Sequence, residues 1–233
     1  MRYPAKTPLP EALPPERRTV GQLIAESIKL YQANALRAVA LGLAGAGIDV
    51  ATYVVAGGDG PSGGQQLAVL LIVGAPLCSA AFVGASLLVI GRAPRGRVAR
   101  AYGLAVLLFL PFPFLIPLAI LPALLWLAFV GLSVPALLAE DLGLGAALKR
   151  GLALARADFA HVLGGLCSLV IVFFVVRFAL AALLHGQAGN AALTTAALAD
   201  LVLTPLVFLG SALLYVDQEA RLRLRGAKAP VTA

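Results

Sequence analysis

The chain has 233 residues, of which 61% are hydrophobic and only 12% are charged, with a formal net charge of +7. Soluble domains are typically about 45–50% apolar and about 25% charged, so this composition excludes an ordinary soluble domain and predicts an integral membrane protein. The apolar runs are unbroken and rich in Ala, Leu, Val and Gly, which favours close-packed helices in lipid over a β-barrel, whose strands alternate polar and apolar residues.

The first part of the chain is polar and contains several prolines but no apolar core. Residues 1–18 therefore do not form a secretory signal peptide, and we expect them to be a flexible cytoplasmic tail. Residues 19–33 have apolar side chains at helical spacing, and Thr19 and Gln22 fit a capping box. This pattern predicts an amphipathic helix that lies either in the membrane interface or against the protein's own cytoplasmic face.

Long uncharged stretches follow, and a helix that spans a membrane needs about 20 such residues. The stretch 101–139 has room for two spans, and its prolines favour a turn near residues 111–117. We therefore predict an all-α, polytopic membrane bundle of about six transmembrane helices plus cytoplasmic amphipathic helices. A single membrane domain covers 19–216, and a basic cytoplasmic tail covers 217–233. The predicted spans are 35–57, 66–91, two within 101–139, 161–184 and 193–216.

The positions of the basic residues predict the orientation, because Lys and Arg are enriched in cytoplasmic loops. Of the 18 Lys and Arg residues, all but Arg177 lie around the start of the first span, between the second and third spans, between the fourth and fifth, or after the sixth. Six crossings place all of these segments on one side. We therefore expect both termini in the cytoplasm and the protein in the cell membrane.

Three charged residues lie well inside the predicted spans: Asp49, Arg177 and Asp200. Counted from the span ends at about 1.5 Å per residue, all three are roughly 10–12 Å below the outer surface. Because an uncompensated charge in hydrocarbon is costly, we expect Arg177 to pair with Asp200, on the adjacent span, or with Asp49. Such a set is either a proton or substrate site, or an ion pair that fixes the order of the helices.

The sequence indicates no catalytic, cofactor-binding or metal site. It contains no GxxxxGK[ST], HExxH or GxSxG motif and no cluster of Cys and His. Cys78 and Cys167 lie in apolar runs and are expected to be small buried side chains. His161 and His185 fall near opposite faces of the membrane, so they are not expected to share a metal. Because the positive charge follows the loops, we expect contact with membrane lipids and none with nucleic acid.

Three stretches of the chain resemble a bacterial membrane-protein family: residues 23–38, 134–165 and 214–223. They are similar to the membrane domain that precedes some glycerophosphodiester phosphodiesterases, and to stand-alone bacterial relatives of that domain. The recognisable positions of the middle stretch are Pro135, Glu140, Ala147, Arg150, Ala157, Asp158 and Phe159.

The third stretch departs from the pattern of that family. Tyr215 and Asp217 match a Tyr-x-Asp-x-Arg pattern, but Glu219 occupies the position of the Arg. In the fused enzymes the catalytic carboxylates belong to a separate soluble barrel, which has no counterpart in this sequence. The resemblance therefore implies a membrane domain without hydrolase activity.

Two functions of different classes remain open. The first is a non-catalytic integral membrane protein, a scaffold or partner subunit that contacts lipids and another membrane protein. The alternative is a small transporter or channel-like protein that uses Asp49, Arg177 and Asp200, which would then line a wet cavity. A third hypothesis, an enzyme acting on lipid, requires a groove with several convergent polar groups that the spans do not supply.

Overall fold

The structure, a computed structural model, describes residues 13–57, 61–183 and 191–228. Within these ranges all regular secondary structure is helical, which confirms the predicted all-α fold. A short 3₁₀ turn at Pro15–Arg17 precedes eight α-helices. The helices are α1 (Val20–Ala33), α2 (Ala35–Ala56), α3 (Gly63–Ile90), α4 (Arg95–Leu115), α5 (Ile120–Glu140), α6 (Leu144–Ala157), α7 (Phe159–Leu183) and α8 (Ala191–Lys228).

Six of these helices, α2, α3, α4, α5, α7 and α8, are long and apolar enough to cross a membrane. Large apolar side chains are exposed on the outside of the bundle, among them Leu43, Ile72, Leu107, Leu121 and Phe178. Water disfavours such a surface, whereas the hydrocarbon of a bilayer solvates it. The fold is therefore that of a multi-pass helical membrane protein, as the sequence predicts.

The long stretch 101–139 forms two spans, as predicted. Helix α4 ends at Leu115 and α5 begins at Ile120, so the turn between them lies in a segment rich in proline. The indole Nε1 of Trp126 donates a hydrogen bond to the backbone carbonyl of Leu108 at 2.8 Å and joins the two helices below the turn. This bond gives a buried polar group of the tryptophan a partner where lipid offers none.

Helix α8 lies at the centre of the bundle and contacts α1, α2, α3, α6 and α7. Its closest neighbour is α2, because two glycines of α2 face it. A Cβ atom on Gly42 would lie 1.9 Å from the carbonyl oxygen of Leu201, and a Cβ on Gly45 would lie 2.4 Å from Oγ1 of Thr204. Small residues allow backbones to approach in this way in membranes. The contact of α2 with α8 positions the charged residues described below.

The predicted amphipathic helix is present as α1, with Thr19 and Gln22 forming the capping box. Its apolar face packs on the protein: Leu23 is fully buried and lies beside Gly165 of α7 and Leu214 of α8. Ile28, on another face of the helix, is 40% exposed. Of the two expected locations for this helix, the structure thus shows contact with the bundle along the face of Leu23.

Packed polar residues lie next to both of the domain boundaries that the sequence suggested. Arg18, expected in a flexible tail, donates a hydrogen bond to Asp217 at 2.5 Å. Asp217 and Gln218, expected in the basic tail, are fully buried, since α8 continues to Lys228. Partners distant in sequence bury these polar residues, and the division of the chain at 18 and 216 stays a prediction. Residues 1–12 lie outside the described part of the chain.

Candidate functional site

The three charged residues of the spans meet at one place, which we call the charge triad: Asp49 of α2, Arg177 of α7 and Asp200 of α8. The Nη1 atom of Arg177 lies 2.6 Å from Oδ2 of Asp200, and its Nη2 atom lies 3.0 Å from Oδ1 of Asp49. Arg177 therefore bridges both carboxylates, where the sequence suggested one partner or the other. The triad connects three spans near the end of the bundle where α2 and α7 finish.

The triad is unequally buried. The side chain of Asp200 is 6% exposed, that of Asp49 is 17% exposed, and that of Arg177 is 32% exposed. The guanidinium carbon of Arg177 also lies 6.0 Å from the centroid of the Phe173 ring, within range of a cation–π interaction. With both carboxylates ionised, the triad contains two negative charges and one positive charge.

One oxygen of the triad has no partner among the described residues. Oδ1 of Asp200 is buried and receives no hydrogen bond, although Oδ2 of the same carboxylate binds Arg177. Buried polar atoms are nearly always hydrogen-bonded, and an exception in a folded protein calls for an explanation. Asp200 also lines a cavity, but this oxygen does not open onto it, because the atom has almost no accessible surface.

The cavity lies in the membrane-spanning part of the bundle, between all six spans, and has a volume of about 320 Å³. Asp200 and Thr204 contribute its polar side chains, and the remaining lining is apolar. Ligand-binding cavities commonly have this character, a mostly apolar wall with a few placed polar groups. One residue of the apolar lining from each span is, in chain order, Ile48, Cys78, Phe112, Ile120, Val170 and Phe208.

The cavity opens sideways, towards the lipid-facing surface. Three residues of its lining, Ile116, Ile120 and Phe174, are between 43% and 49% exposed on the outside of the bundle. They place the opening between the turn that joins α4 to α5 and the middle of α7. A molecule dissolved in the apolar part of the bilayer could therefore enter without crossing the whole protein.

A second group of charged residues lies at the opposite end of the bundle, which we call the basic end: residues 92–100, 140–158 and 217–225, with Arg18. Here Arg150 of α6 donates to Glu140 of α5 at 2.8 Å, and the hydroxyl of Tyr215 donates to the same carboxylate at 3.2 Å. These three residues belong to the stretches that carry the family resemblance. Their shared contact joins α5, α6 and α8.

The N-terminal segment is held at the basic end by the last turns of α8. Asp217 accepts from Arg18 and lies 3.4 Å from Nε2 of His161, while Arg221 forms an ion pair with Asp158 and donates to the backbone oxygen of Arg18 at 2.9 Å. The sequence did not reveal this network. Only Asp158 and Asp217 carried a signal, through their positions in the resembling stretches.

A further set of ion pairs at the basic end involves Asp141, directly after α5. Arg97 and Arg100 of α4 both contact its carboxylate, at 3.0 and 2.9 Å. The hydrogen bond from Arg97 is the main reason why the pKa of Asp141 is held below its ordinary value of 3.8, and the charge of Arg97 and the contact with Arg100 add to the effect. Asp141 has a positive φ of 51°, a conformation that Asp and Asn tolerate better than most residues.

No group of three metal-ligating side chains exists among the described residues. Cys78 lines the cavity and Cys167 packs against the core, and both are free thiols. His161 is bound to the network at the basic end, whereas His185 lies outside the described residues.

Comparisons with protein-family models, with curated proteins and with solved structures find no match for this chain. The resemblance to the membrane domain of glycerophosphodiester phosphodiesterases therefore stays a prediction. What the structure defines is the class, a helical multi-pass membrane protein.

Proposed function

We propose that this protein is a non-catalytic integral membrane protein that acts as a scaffold or partner subunit of a bacterial inner-membrane system, with both termini in the cytoplasm. The observation that carries this proposal is the internal pairing of the charged residues at the basic end. Glu140, Asp141, Asp158 and Asp217 each bind an arginine of the same chain. Carboxylates held in this way stabilise the arrangement of helices, which supports a structural role for this end of the bundle.

The basic end also offers a surface for a partner. Arg92, Arg95, Lys149 and Arg156 are exposed there and belong to the loop between α3 and α4, to the first turn of α4 and to α6. Exposed cations beside a membrane attract anionic lipid headgroups and acidic protein surfaces. Their placement supports a role in which the folded end of the bundle is held against another membrane component.

The orientation is tested with reporter fusions placed after residues 62, 95, 115, 145, 188 and 225. If both termini are cytoplasmic, the reporters should alternate, with the first outside and the last inside, because every segment rich in Lys and Arg then lies in the cytoplasm. A reporter after residue 115 that reads as cytoplasmic would contradict the proposed orientation.

The partner role is tested by photo-crosslinking in native membranes. A crosslinkable residue at Lys149 should give discrete protein adducts, whereas the same residue at Ile72, which is 74% exposed and faces lipid, should give lipid adducts. Each variant is the control for expression and folding of the other, because both positions are exposed. Only lipid adducts at Lys149 would exclude a stable protein partner at this surface.

The second candidate function, a small transporter or channel-like protein, is favoured by one observation, the cavity of about 320 Å³ that lies between the six spans and beside Asp200. Flux of protons or small cations into proteoliposomes would support this candidate if it is lost in Asp200→Asn and retained in Asp141→Asn. Absence of flux for the wild type would leave the scaffold proposal as the stronger one.

A further inference from the structure

The cavity between the six spans runs lengthwise along the helices. On α3 its lining extends from Leu70 to Cys78, and on α8 it extends from Asp200 to Phe208. Each of these stretches advances eight residues, which is about 12 Å at about 1.5 Å per residue. Because the hydrocarbon core of a bilayer is about 30 Å thick, this length covers most of one leaflet.

One end of the cavity is open and the other is closed. The residues at the opening, Ile116, Ile120 and Phe174, are half-exposed and lie towards the turn that joins α4 to α5. Phe109 and Phe208, at the other end, are buried. The cavity is therefore a blind channel that leads from the lipid-facing surface, at the triad end of the bundle, towards the middle of the spans.

Water and an empty void are both poor occupants of this channel. Nearly all of its lining is hydrocarbon, whereas a buried water molecule needs about two to four polar partners. An empty cavity is also costly, because its walls lose dispersion contacts and the cost rises with the volume. The medium at the opening is the hydrocarbon of the bilayer, which fills an apolar space without either cost.

The local structure of α3 keeps one wall of the channel open. The turn Leu70–Gly74 is π-helical, and both of these residues line the channel. Turns of this kind are rare and frequently occur at functional sites. A Cβ atom on Gly74 would lie 3.5 Å from the nearest side chain, so close packing does not require a glycine there. The glycine instead leaves space within the channel.

We propose that the channel binds one acyl chain of a membrane phospholipid, from the leaflet on the side of the charge triad. The headgroup stays at the membrane surface near the turn between α4 and α5, and the chain passes Ile120 and ends near Cys78. A volume of about 320 Å³ is near the lower limit of ligand-binding cavities, which suits one chain and not a whole phospholipid. This inference goes beyond the scaffold role and does not depend on it.

The direction of the channel favours a phospholipid over a free apolar molecule. A chain in a bilayer already runs along the membrane normal, with its headgroup end at the surface, and the channel has the same direction and opens at the same end. Little conformational freedom is therefore lost when the chain enters, and binding that requires little ordering is the more favourable.

Photolabelling of the two cysteines tests the proposal. The purified protein is placed in phosphatidylcholine nanodiscs that contain a small fraction of phosphatidylcholine with a diazirine at the end of one chain, and adducts are located by mass spectrometry after illumination. Cys78 lines the channel, whereas Cys167 lies outside the lining, is partly buried and reports labelling by the surrounding lipid. We expect an adduct at Cys78. It should be lost when the diazirine is placed next to the carbonyl of the chain, because that part of the lipid stays at the opening.

Two variants that fill the channel and a matched control complete the test. Ala123→Phe fills it from α5, and Gly74→Leu fills it from α3, so that a second variant is at hand if the first fails to fold. Both should abolish labelling of Cys78 and leave labelling of Cys167 unchanged. Ala40→Phe, which introduces the same residue as Ala123→Phe at an exposed position of α2, should leave both adducts unchanged.

Three results would overturn the proposal. The first is a ratio of Cys78 to Cys167 labelling that is the same in the wild type and in the filled variants, which would mean that no chain enters. The second is equal labelling of Cys78 by the two diazirine positions, which would mean that the lipid is not aligned with the channel. The third is labelling of Cys78 by a free alkane that carries a diazirine but not by the phospholipid, which would mean that the channel accepts only free apolar molecules.

Discussion

Removal of the arginine from the charge triad should be far more damaging than removal of one of its carboxylates. Arg177→Leu leaves Asp49 and Asp200 together in an apolar region without a counter-ion. Asp49→Asn instead leaves a neutral pair, because Arg177 keeps its contact with Asp200 at 2.6 Å. The excess of carboxylates over guanidinium is the reason for this asymmetry.

The burial of each group indicates the size of the effect. Breaking a buried ion pair by removing one partner typically costs about 3–5 kcal/mol. The partial exposure of Arg177, 32% of its side chain, favours the lower end for Arg177→Leu, about 3 kcal/mol. For Asp49→Asn we expect about 1 kcal/mol, the net value of one hydrogen bond. Replacing all three residues with Leu should cost less than Arg177→Leu, because apolar substitutes for buried ionic groups are often neutral or stabilising.

The free energy of unfolding can be measured by titration of detergent-solubilised protein with sodium dodecyl sulfate, followed by far-ultraviolet circular dichroism. The four proteins to compare are the wild type, Arg177→Leu, Asp49→Asn and the triple Leu variant. If Arg177→Leu is no less stable than Asp49→Asn, the guanidinium does not compensate the two carboxylates. A triple variant less stable than Arg177→Leu would likewise contradict the reasoning.

Two further predictions concern the packing of the bundle and its basic end. Gly42→Ala should destabilise the protein by about 3 kcal/mol, because the new Cβ would lie 1.9 Å from a backbone oxygen of Leu201. The control is Gly103→Ala, where no atom lies within 4 Å of the new Cβ, and this change should stabilise α4 by up to about 1 kcal/mol. Equal effects of the two changes in thermal unfolding would refute the close contact of α2 with α8. Since the pKa of Asp141 is lowered in the folded state, chiefly by Arg97, its stabilising effect should be present above pH 3.8 and disappear as the pH falls below that value. The difference in unfolding free energy between the wild type and Asp141→Asn should therefore vanish in acid, and a difference independent of pH would count against this ion pair.

Much of the fold could be predicted from local properties of the sequence. A span is a local quantity, a run of apolar residues long enough to cross hydrocarbon. The division of 101–139 into α4 and α5 was predicted correctly from its length and from the even number of crossings that the basic segments require. A capping box is also local, since Thr19 and Gln22 are three residues apart, and α1 begins where that motif predicts. Similar depth in the membrane likewise suggested that Arg177 and Asp200 could meet.

The tertiary structure alone decided which distant residues share a site. Depth along a span does not specify how a helix is rotated or which helices are neighbours, and these follow from packing, here from the approach of α2 to α8 at Gly42. That approach places Asp49 on the same arginine as Asp200 and leaves a cavity beside Asp200. The bond of Arg18 with Asp217 depends in the same way on contact between the two ends of the chain. Apolar periodicity is a property of each helix alone, whereas the site exists only between helices.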